Sequence, residues 1–178
     1  MIRNKPAYIP ARSLRAALTL AVLGTLGACA NMSELPQGTP LAQIEAKYGR
    51  PNFSCPDAGG GQHLIWSQQP MGQYAWGVHV DGAGHTGKVA ALLTDEHFKM
   101  LAQGTWSQER VRCEFGPPAV IDRVGLPSSD QLVWSYRYRQ SGVWNSLMYV
   151  YFGHDGSHVT HFNPGPDPMY DHDRWSFF

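Results

Sequence analysis

Residues 37–51 read QGTPLAQIEAKYGRP, and residues 103–118 read QGTWSQERVRCEFGPP. Both stretches begin with Gln-Gly-Thr, continue for the length of a short helix and end in an aromatic residue followed by Gly-x-Pro. The second copy is one residue longer than the first. A repeated stretch of this length predicts a fold built from two copies of one supersecondary unit.

Two shorter matches follow these stretches in the same order. LIWS at 64–67 matches LVWS at 132–135, and residues 78–84 match residues 150–156 more loosely. The offset between the copies grows from 66 to 72 residues, which small loop insertions explain. We therefore predict a tandem duplication of a unit of about 70 residues.

The first copy has the signals of a helix at both of its ends. Thr39 is a good N-cap, and Pro40 is a good first helical residue. Gly49 predicts a stop in a left-handed conformation, and Pro51 prevents continuation. Three apolar residues recur at the spacing of one helix face: Leu41, Ile44 and Tyr48.

The second copy has similar signals and an additional helix before it. Thr105 and Gln108 form a capping-box pattern, and residues 116–118 end the helix. The additional helix is predicted to start at Thr94 as N-cap and to stop at Gly104. The first turn of this helix contains acidic side chains, which stabilise the N-terminus of a helix.

The remainder of each unit alternates apolar and polar residues with a period of two, which is typical of strands. This pattern predicts an α+β fold of two tandem repeats, each a helix followed by a three-stranded antiparallel sheet, with the helices packed on one sheet face. The predicted strands are 63–67, 74–80 and 88–93 in the first unit, and 131–138, 146–152 and 158–162 in the second.

The beginning of the chain is typical of an export signal. The first fifteen residues contain four basic residues and no acidic one, and an apolar run then leads to Leu26-Gly27-Ala28-Cys29. The apolar run of 13 residues is short of the roughly 20 that span a bilayer as a helix. A permanent transmembrane helix is therefore the weaker interpretation.

Residues 26–29 resemble the lipobox of bacterial lipoproteins. This resemblance implies cleavage after Ala28, a diacylglycerol thioether on Cys29 and acylation of the new amino terminus. An ordinary signal peptide with a chance cysteine is the alternative. Ala30 stands where aspartate is the familiar inner-membrane retention signal, so we expect the periplasmic face of the outer membrane.

The predicted cleavage changes the charge of the protein. The whole chain has 14 Lys and Arg against 14 Asp and Glu, and four of the basic residues lie within 1–28. The mature chain therefore keeps 10 against 14, a net charge of −4 with neutral histidines. The remaining basic residues are scattered, so the sequence predicts no nucleic-acid partner.

Two cysteines remain after lipidation of Cys29. The periplasm permits disulfides, so Cys55 and Cys113 either form a bridge or stay as two separate buried thiols. Cys55 followed by His63 is a weak candidate for a nucleophile and base pair. His154, His158 and His161 lie close in sequence but are predicted to face different directions. We predict no catalytic residue, no metal site and no cofactor.

Two units of helix, aromatic-Gly-x-Pro and Trp-bearing strands behind a lipobox resemble the SmpA/OmlA family of BamE-like outer-membrane lipoproteins. Tandem copies of the unit resemble the β-lactamase-inhibitor-protein fold. The resemblance covers residues 36–162. It implies a structural role, turning the chain from helix to sheet, for Gly49, Pro51, Gly116 and Pro118. The family's proteins typically have one such unit, so two units suggest a divergent branch with a different partner.

The predicted organisation follows from the signal, the repeats and the composition of the ends. It consists of a signal peptide at 1–28, a tether at 29–36, a first SmpA/OmlA-like repeat at 37–93, a second at 94–162, and a Pro-rich aromatic tail at 163–178. The tail is predicted to begin as a stiff, non-helical spacer.

Aromatic residues are frequent on the predicted strands. Trp and Tyr anchor protein interfaces at low entropic cost, so an open sheet face with such residues would suit a protein partner. Packing inside the sheets is the competing explanation. The candidate partner-binding residues are Trp66, Trp76, Trp134, Tyr136 and Trp144.

These patterns together predict a non-enzymatic outer-membrane lipoprotein. Its expected partners are the membrane, through the lipid anchor, and a protein of the outer-membrane assembly machinery or the envelope. The alternative hypothesis is a periplasmic inhibitor or binder of a hydrolase, which the tandem, aromatic-bearing sheets suggest.

Overall fold

The computed structural model describes residues 31–170, which contain two four-stranded antiparallel sheets. In each sheet the strands are neighbours in the order in which they occur along the chain. The first sheet consists of β1 (Phe53–Pro56), β2 (Gln62–Ser67), β3 (Ala75–Val80) and β4 (Ala90–Ala91). The second sheet consists of β5 (Val120–Val124), β6 (Gln131–Gln140), β7 (Trp144–Tyr151) and β8 (His161–Pro166).

Three α-helices accompany the sheets in the described part of the chain. α1 (Leu41–Tyr48) precedes the first sheet, and α3 (Gln108–Phe115) precedes the second. α2 (Asp95–Phe98) lies between β4 and α3 and continues as the 3₁₀ turn Lys99–Ala102. Within 31–170, no helix is long and apolar enough to cross a membrane.

The predicted repeat of one helix and three strands is wrong, although the fold remains α+β in the broad sense. Each Gly-x-Pro turn leads into a further strand, β1 or β5, so each sheet has four strands. β1 is short and ends in proline, and every residue of β5 is exposed. β1 is too short for an alternation to stand out, and β5 reads Val-Ile-Asp-Arg-Val, which does not alternate apolar and polar residues.

The prediction that the helices lie on one sheet face is also wrong. Leu64 and Ile65 are neighbours on β2 and therefore point to opposite faces of the first sheet. Leu64 belongs to the α1 core, which contains Met32, Ile44, Leu64, Trp66, Val78 and Val89. Ile65 belongs to the main core, so the first sheet is covered on both faces.

The main core lies between the first sheet and the second sheet. α3 is sandwiched there, and its Val111 and Phe115 are completely buried. Burial of such a side chain contributes about 1.5–3 kcal/mol. The core combines Ile65, Ala75, Phe98, Val111, Phe115, Trp134, Tyr136, Tyr138, Met148, Val150 and Phe152.

The two glycines that end α1 and α3 have the same backbone conformation. Gly49 has φ 79° and ψ 179°, and Gly116 has φ 80° and ψ −172°. This extended region at positive φ is essentially restricted to glycine. The predicted positive φ is thus confirmed, but the conformation is extended rather than left-handed helical. Each glycine amide still donates to the carbonyl four residues earlier, at 2.9 Å.

The helix N-termini agree with the sequence only in part. Thr94 caps α2 by accepting from the His97 amide, as predicted. Thr39 does not cap α1, because its hydroxyl donates to Pro36 O, and Pro40 occupies the cap position. In α3 the capping side chain is Ser107, which accepts from the Arg110 amide, rather than Thr105.

The repeat is visible in the register of the strands. The Trp66 indole donates to Gly49 O at 2.8 Å, and the Tyr136 hydroxyl donates to Gly116 O at 3.1 Å. Trp66 is therefore structurally equivalent to Tyr136 and not, as the LIWS and LVWS match implied, to Trp134. The shift is two residues, which leaves the same side chains on the same face.

The described parts of both predicted end segments pack onto the body. Residues 32–34 of the predicted tether form a 3₁₀ turn, and Met32 is 2% exposed. Residues 163–166, predicted as the start of a spacer, are part of β8. The signal peptide, Cys29, Ala30 and the end of the tail from residue 171 lie outside the described residues.

Candidate protein-binding edge

The five aromatic residues predicted to bind a partner are not brought together. Trp66, Trp134 and Tyr136 are buried, with 7%, 4% and 0% exposure. Trp76 is half-buried against the α1 core. Trp144 is 68% exposed. Three of the five therefore pack the interior: Trp66 lies in the α1 core, and Trp134 and Tyr136 lie in the main core.

Trp144 stands at the hairpin between β6 and β7, beside a shallow cleft of about 360 Å³. This cleft is lined by Gln140, Trp144, Asn145, Ser146, Pro164, Gly165 and Pro166. Val143 is also exposed. The other four aromatic candidates contribute nothing to this cleft. A second shallow cleft, of about 370 Å³, lies at the first sheet and is lined by Val80 and by polar residues and glycines around His79 and His85.

A larger set of exposed apolar side chains lies on β5, where the sequence predicts no strand. We call residues 120–124 together with Leu126 the open edge. β5 is the outermost strand of the second sheet and is exposed at every residue. Val120 is 43% exposed, Ile121 52%, Val124 43% and Leu126 71%. Apolar side chains grouped in this way mark an interaction surface or an aggregation hazard.

The hydrogen bonds of β6 show which backbone groups of β5 point outward. Phe152 N donates to Leu132 O and Leu132 N donates to Gly153 O, so the even residues of β6 face β7. Ser135 O accepts from Ala119 N on the other side, so the odd residues of β6 face β5. By the register of the two strands, Ile121 and Arg123 then direct their N–H and C=O groups away from the sheet.

The opposite edge of the second sheet is formed by β8, and two of its outward-pointing residues are prolines, which have no N–H to donate. Tyr151 O accepts from Thr160 N, so the odd residues of β7 bond towards β8. Their partners on β8 are His161, Asn163 and Gly165, which leaves Pro164 and Pro166 pointing outward. Proline has no N–H, and its presence protects a sheet edge from strand addition. Of the two edges of this sheet, the β5 edge is the one that presents outward N–H groups along its length.

The charges on the open edge are not equivalent. Arg123 Nε donates to Asp130 at 2.5 Å, and its terminal nitrogen donates to His154 O at 2.6 Å. The hydrogen bond from Arg123 is the main cause that lowers the pKa of Asp130. Asp122 accepts from the Arg123 amide at 2.7 Å. None of the ion pairs among residues 31–170 includes Asp122.

Cys55 of β1 and Cys113 of α3 form a disulfide, with 5.5 Å between their Cα atoms. The bridge connects the first sheet to the helix of the second unit. The interpretation as two separate buried thiols is therefore wrong. Cys55 is also not a free nucleophile for His63, whose Nδ1 instead lies 2.8 Å from Cys113 O.

The histidines form pairs rather than a converging set of ligands. His63 stacks on His79 at 4.1 Å, and His79 contacts Asp57 at 2.5 Å. His154 contacts Asp130, and His161 stacks on Tyr151. In the described part of the chain, no group of three or more His, Cys, Asp or Glu side chains is arranged to hold a metal ion.

Comparison with known proteins gives no relative for this chain. No protein-family model matches it, and no curated protein or solved structure is significantly similar to it. The resemblance to the SmpA/OmlA family therefore stays a prediction from the sequence.

Proposed function

We propose that this chain is a non-enzymatic outer-membrane lipoprotein that binds a protein partner through the open edge. One observation carries the proposal: β5 is exposed on both faces, bears three exposed apolar residues and directs N–H groups outward at Ile121 and Arg123. An edge of this kind is a template for pairing with another chain.

The membrane anchor is part of the proposal and rests on residues 26–29. A lipid on Cys29 would hold the body close to the membrane, since Met32 is already packed into the α1 core. Replacement of Cys29 by alanine is expected to abolish labelling of the protein by radioactive palmitate and its recovery in the outer-membrane fraction. Unchanged labelling would contradict lipidation at this residue.

A role in outer-membrane protein assembly or envelope integrity is the biological setting that we propose. It is supported by the lipobox and by the family resemblance of the repeats. Deletion of the gene is expected to lower the amounts of outer-membrane proteins and the resistance of the cells to detergent. An unchanged protein profile and unchanged resistance would count against this role.

Photocrosslinking in intact cells tests the binding edge directly. A photoreactive phenylalanine analogue at Ile121 is expected to give one dominant crosslinked product. The same analogue at Asn163, an exposed residue on the proline-containing edge, serves as the matched control and should give none. Absence of a product at Ile121, or equal products at both positions, would overturn the proposal. The identity of the captured protein separates an assembly component from a hydrolase.

A further inference from the structure

We infer that the partner adds an extended segment to β5 as a further strand, with a basic residue opposite Asp122 and an apolar residue on either side of it at the next positions on that face. This inference rests on the proposed function and names the chemistry of the partner. It follows from the backbone groups, the side-chain faces and the charges of the open edge.

The backbone of β5 provides regularly spaced partners for a strand. Ile121 and Arg123 each direct one N–H and one C=O outward, so a segment of about five residues could pair along Val120–Val124. The Arg123 amide is occupied by the Asp122 carboxylate, an exposed interaction within the same strand. An incoming carbonyl would replace that carboxylate and leave Asp122 free to pair with a cation.

The side chains define what the added strand should present. Ile121 is paired with Trp134 and lies on the side of the main core, so Val120, Asp122 and Val124 lie on the other side. Residues of a neighbouring strand lie directly opposite and interact in pairs. The partner therefore needs an apolar, a basic and an apolar residue at alternate positions.

The opposite side of β5 requires no charge from the partner. Arg123 is already bonded to Asp130 and to His154 O. Asp122 belongs to none of the ion pairs of the described residues, so it is the charge of β5 that a partner can neutralise. An acidic residue opposite Asp122 would be repelled.

A second copy of the same strand is a poor occupant. In two identical antiparallel strands related by a two-fold axis, paired residues lie on the same face, so their numbers have an even sum. When the two-fold axis passes through Asp122, the Asp122 residues of the two copies lie opposite each other. When it passes through Arg123, the two Arg123 residues lie opposite each other. An axis at Ile121 places Asp122 opposite Val120 and brings Pro118 into the paired stretch. Each register has a penalty that a basic, apolar partner segment avoids.

Three synthetic peptides test this inference with the mature lipidated chain in detergent. They have the sequence Ser-Val-Thr-Xaa-Thr-Val-Ser, with Xaa as Lys, Ala or Glu, and read the same in parallel and antiparallel pairing. We expect the Lys peptide to bind about two- to fivefold more tightly than the Ala peptide, and the Glu peptide to bind more weakly by a similar factor. Binding should slow hydrogen exchange at the Ile121 and Arg123 amides.

Two sets of variants separate the charge from the backbone. Asp122→Lys is expected to reverse the order of the Lys and Glu peptides. Ile121→Pro removes an outward N–H and should weaken all three peptides about tenfold relative to Ile121→Ala, which loses the same side chain but keeps the amide. Circular dichroism checks that each variant is folded.

Several outcomes would overturn the inference. They are the absence of binding by every peptide, equal binding of the Lys and Glu peptides, an unchanged order in Asp122→Lys, or equal binding by the Pro and Ala variants. The proposed function is tested separately. If a partner is crosslinked at Ile121 in cells but the three peptides bind with equal affinity, the proposal of protein binding stands and only the strand addition is dismissed.

Discussion

The guanidinium of Arg137 donates to the carboxylate of Asp167, and both groups are withdrawn from solvent: the side chain of Arg137 is 12% exposed and that of Asp167 is 0% exposed. The same guanidinium donates from Nε to Pro70 O at 2.7 Å. The pair therefore connects β6, the residues after β8 and the loop that follows β2.

Replacement of Asp167 by alanine is expected to lower the free energy of unfolding by about 3 kcal/mol, because a buried guanidinium loses its counter-ion. Guanidinium chloride denaturation measures the change. Lys99→Ala is the control, since Lys99 and Glu96 form an exposed pair. A similar midpoint for both variants would show that the buried pair contributes no more than a surface pair.

The disulfide is expected to be a main source of stability. Cys55 and Cys113 are 58 residues apart, and the chain-entropy model gives about 4 kcal/mol for a loop of this order. The double replacement by serine should lower the denaturation midpoint. A reducing agent should lower the midpoint of the natural protein to a similar value and leave the double variant unchanged. An insensitive natural protein would contradict a stabilising bridge.

His63 is expected to make the stability dependent on pH. Burial is the main cause that lowers its pKa below the usual 6.5, against the opposing hydrogen bond to Cys113 O. His79 stacks on it and adds to the lowering, while the carboxylates of Glu114 and Asp57 oppose it. The unfolded chain then binds a proton at a higher pH than the folded chain, so stability falls as the pH drops through 6.5.

Denaturation midpoints between pH 5.5 and pH 8 check this dependence on buffered samples. The natural protein should lose stability towards pH 5.5, and His63→Gln should show a smaller loss. His85→Gln is the control, since the side chain of His85 is 80% exposed. Identical slopes for the natural protein and His63→Gln would exclude His63 as the source.

Gly77 is required because its neighbours leave no space for a side chain. A Cβ there would overlap Nε2 of His63 and lie 3.0 Å from two carbon atoms of Leu92. His63 cannot withdraw without losing its contact with Cys113 O and its stacking on His79. Gly77→Ala is therefore expected to cost about 1–3 kcal/mol, the usual effect of overpacking.

Thermal and denaturant unfolding of Gly77→Ala measure this cost. Gly87→Ala is the matched control, because a Cβ at Gly87 would make an ordinary contact of 3.4 Å with His79 O. Equal stability of the two variants would refute the steric explanation for Gly77.

The duplication and the helix ends could be predicted because their signals are local, but the number of strands in each unit, four rather than three, could not. Gly49 and Gly116 occupy a backbone region that is essentially open to glycine alone, so the residue type itself marks where each helix ends. The exact alignment of the strands could not be predicted, since the match of LIWS with LVWS aligns Trp66 with Trp134, which do not occupy equivalent positions in the structure. The hydrogen bonds to Gly49 O and Gly116 O, which the sequence does not display, place Trp66 with Tyr136.

The residues of the candidate binding site could be predicted less well than the fold. The sequence directed attention to aromatic residues, yet Trp66, Trp134 and Tyr136 are in the interior. Their alternation marks a packed face but does not say whether a helix or a second sheet covers it. β5 escaped prediction because it is exposed on both faces, and the same exposure makes it the candidate for binding.

By itself, the sequence determined the duplicated helix-to-sheet unit and the two glycine stops, since each depends on residues adjacent in the chain. Lipid attachment at Cys29 rests on the same kind of local signal and stays a prediction. Only the tertiary structure decided that Cys55 and Cys113 meet, that each sheet has four strands, and that β5 is the edge without proline on its outward side. These features depend on pairing between segments distant in sequence. Such pairing depends on the burial of whole helix and sheet faces, and no single stretch of residues shows which other segment will cover its face.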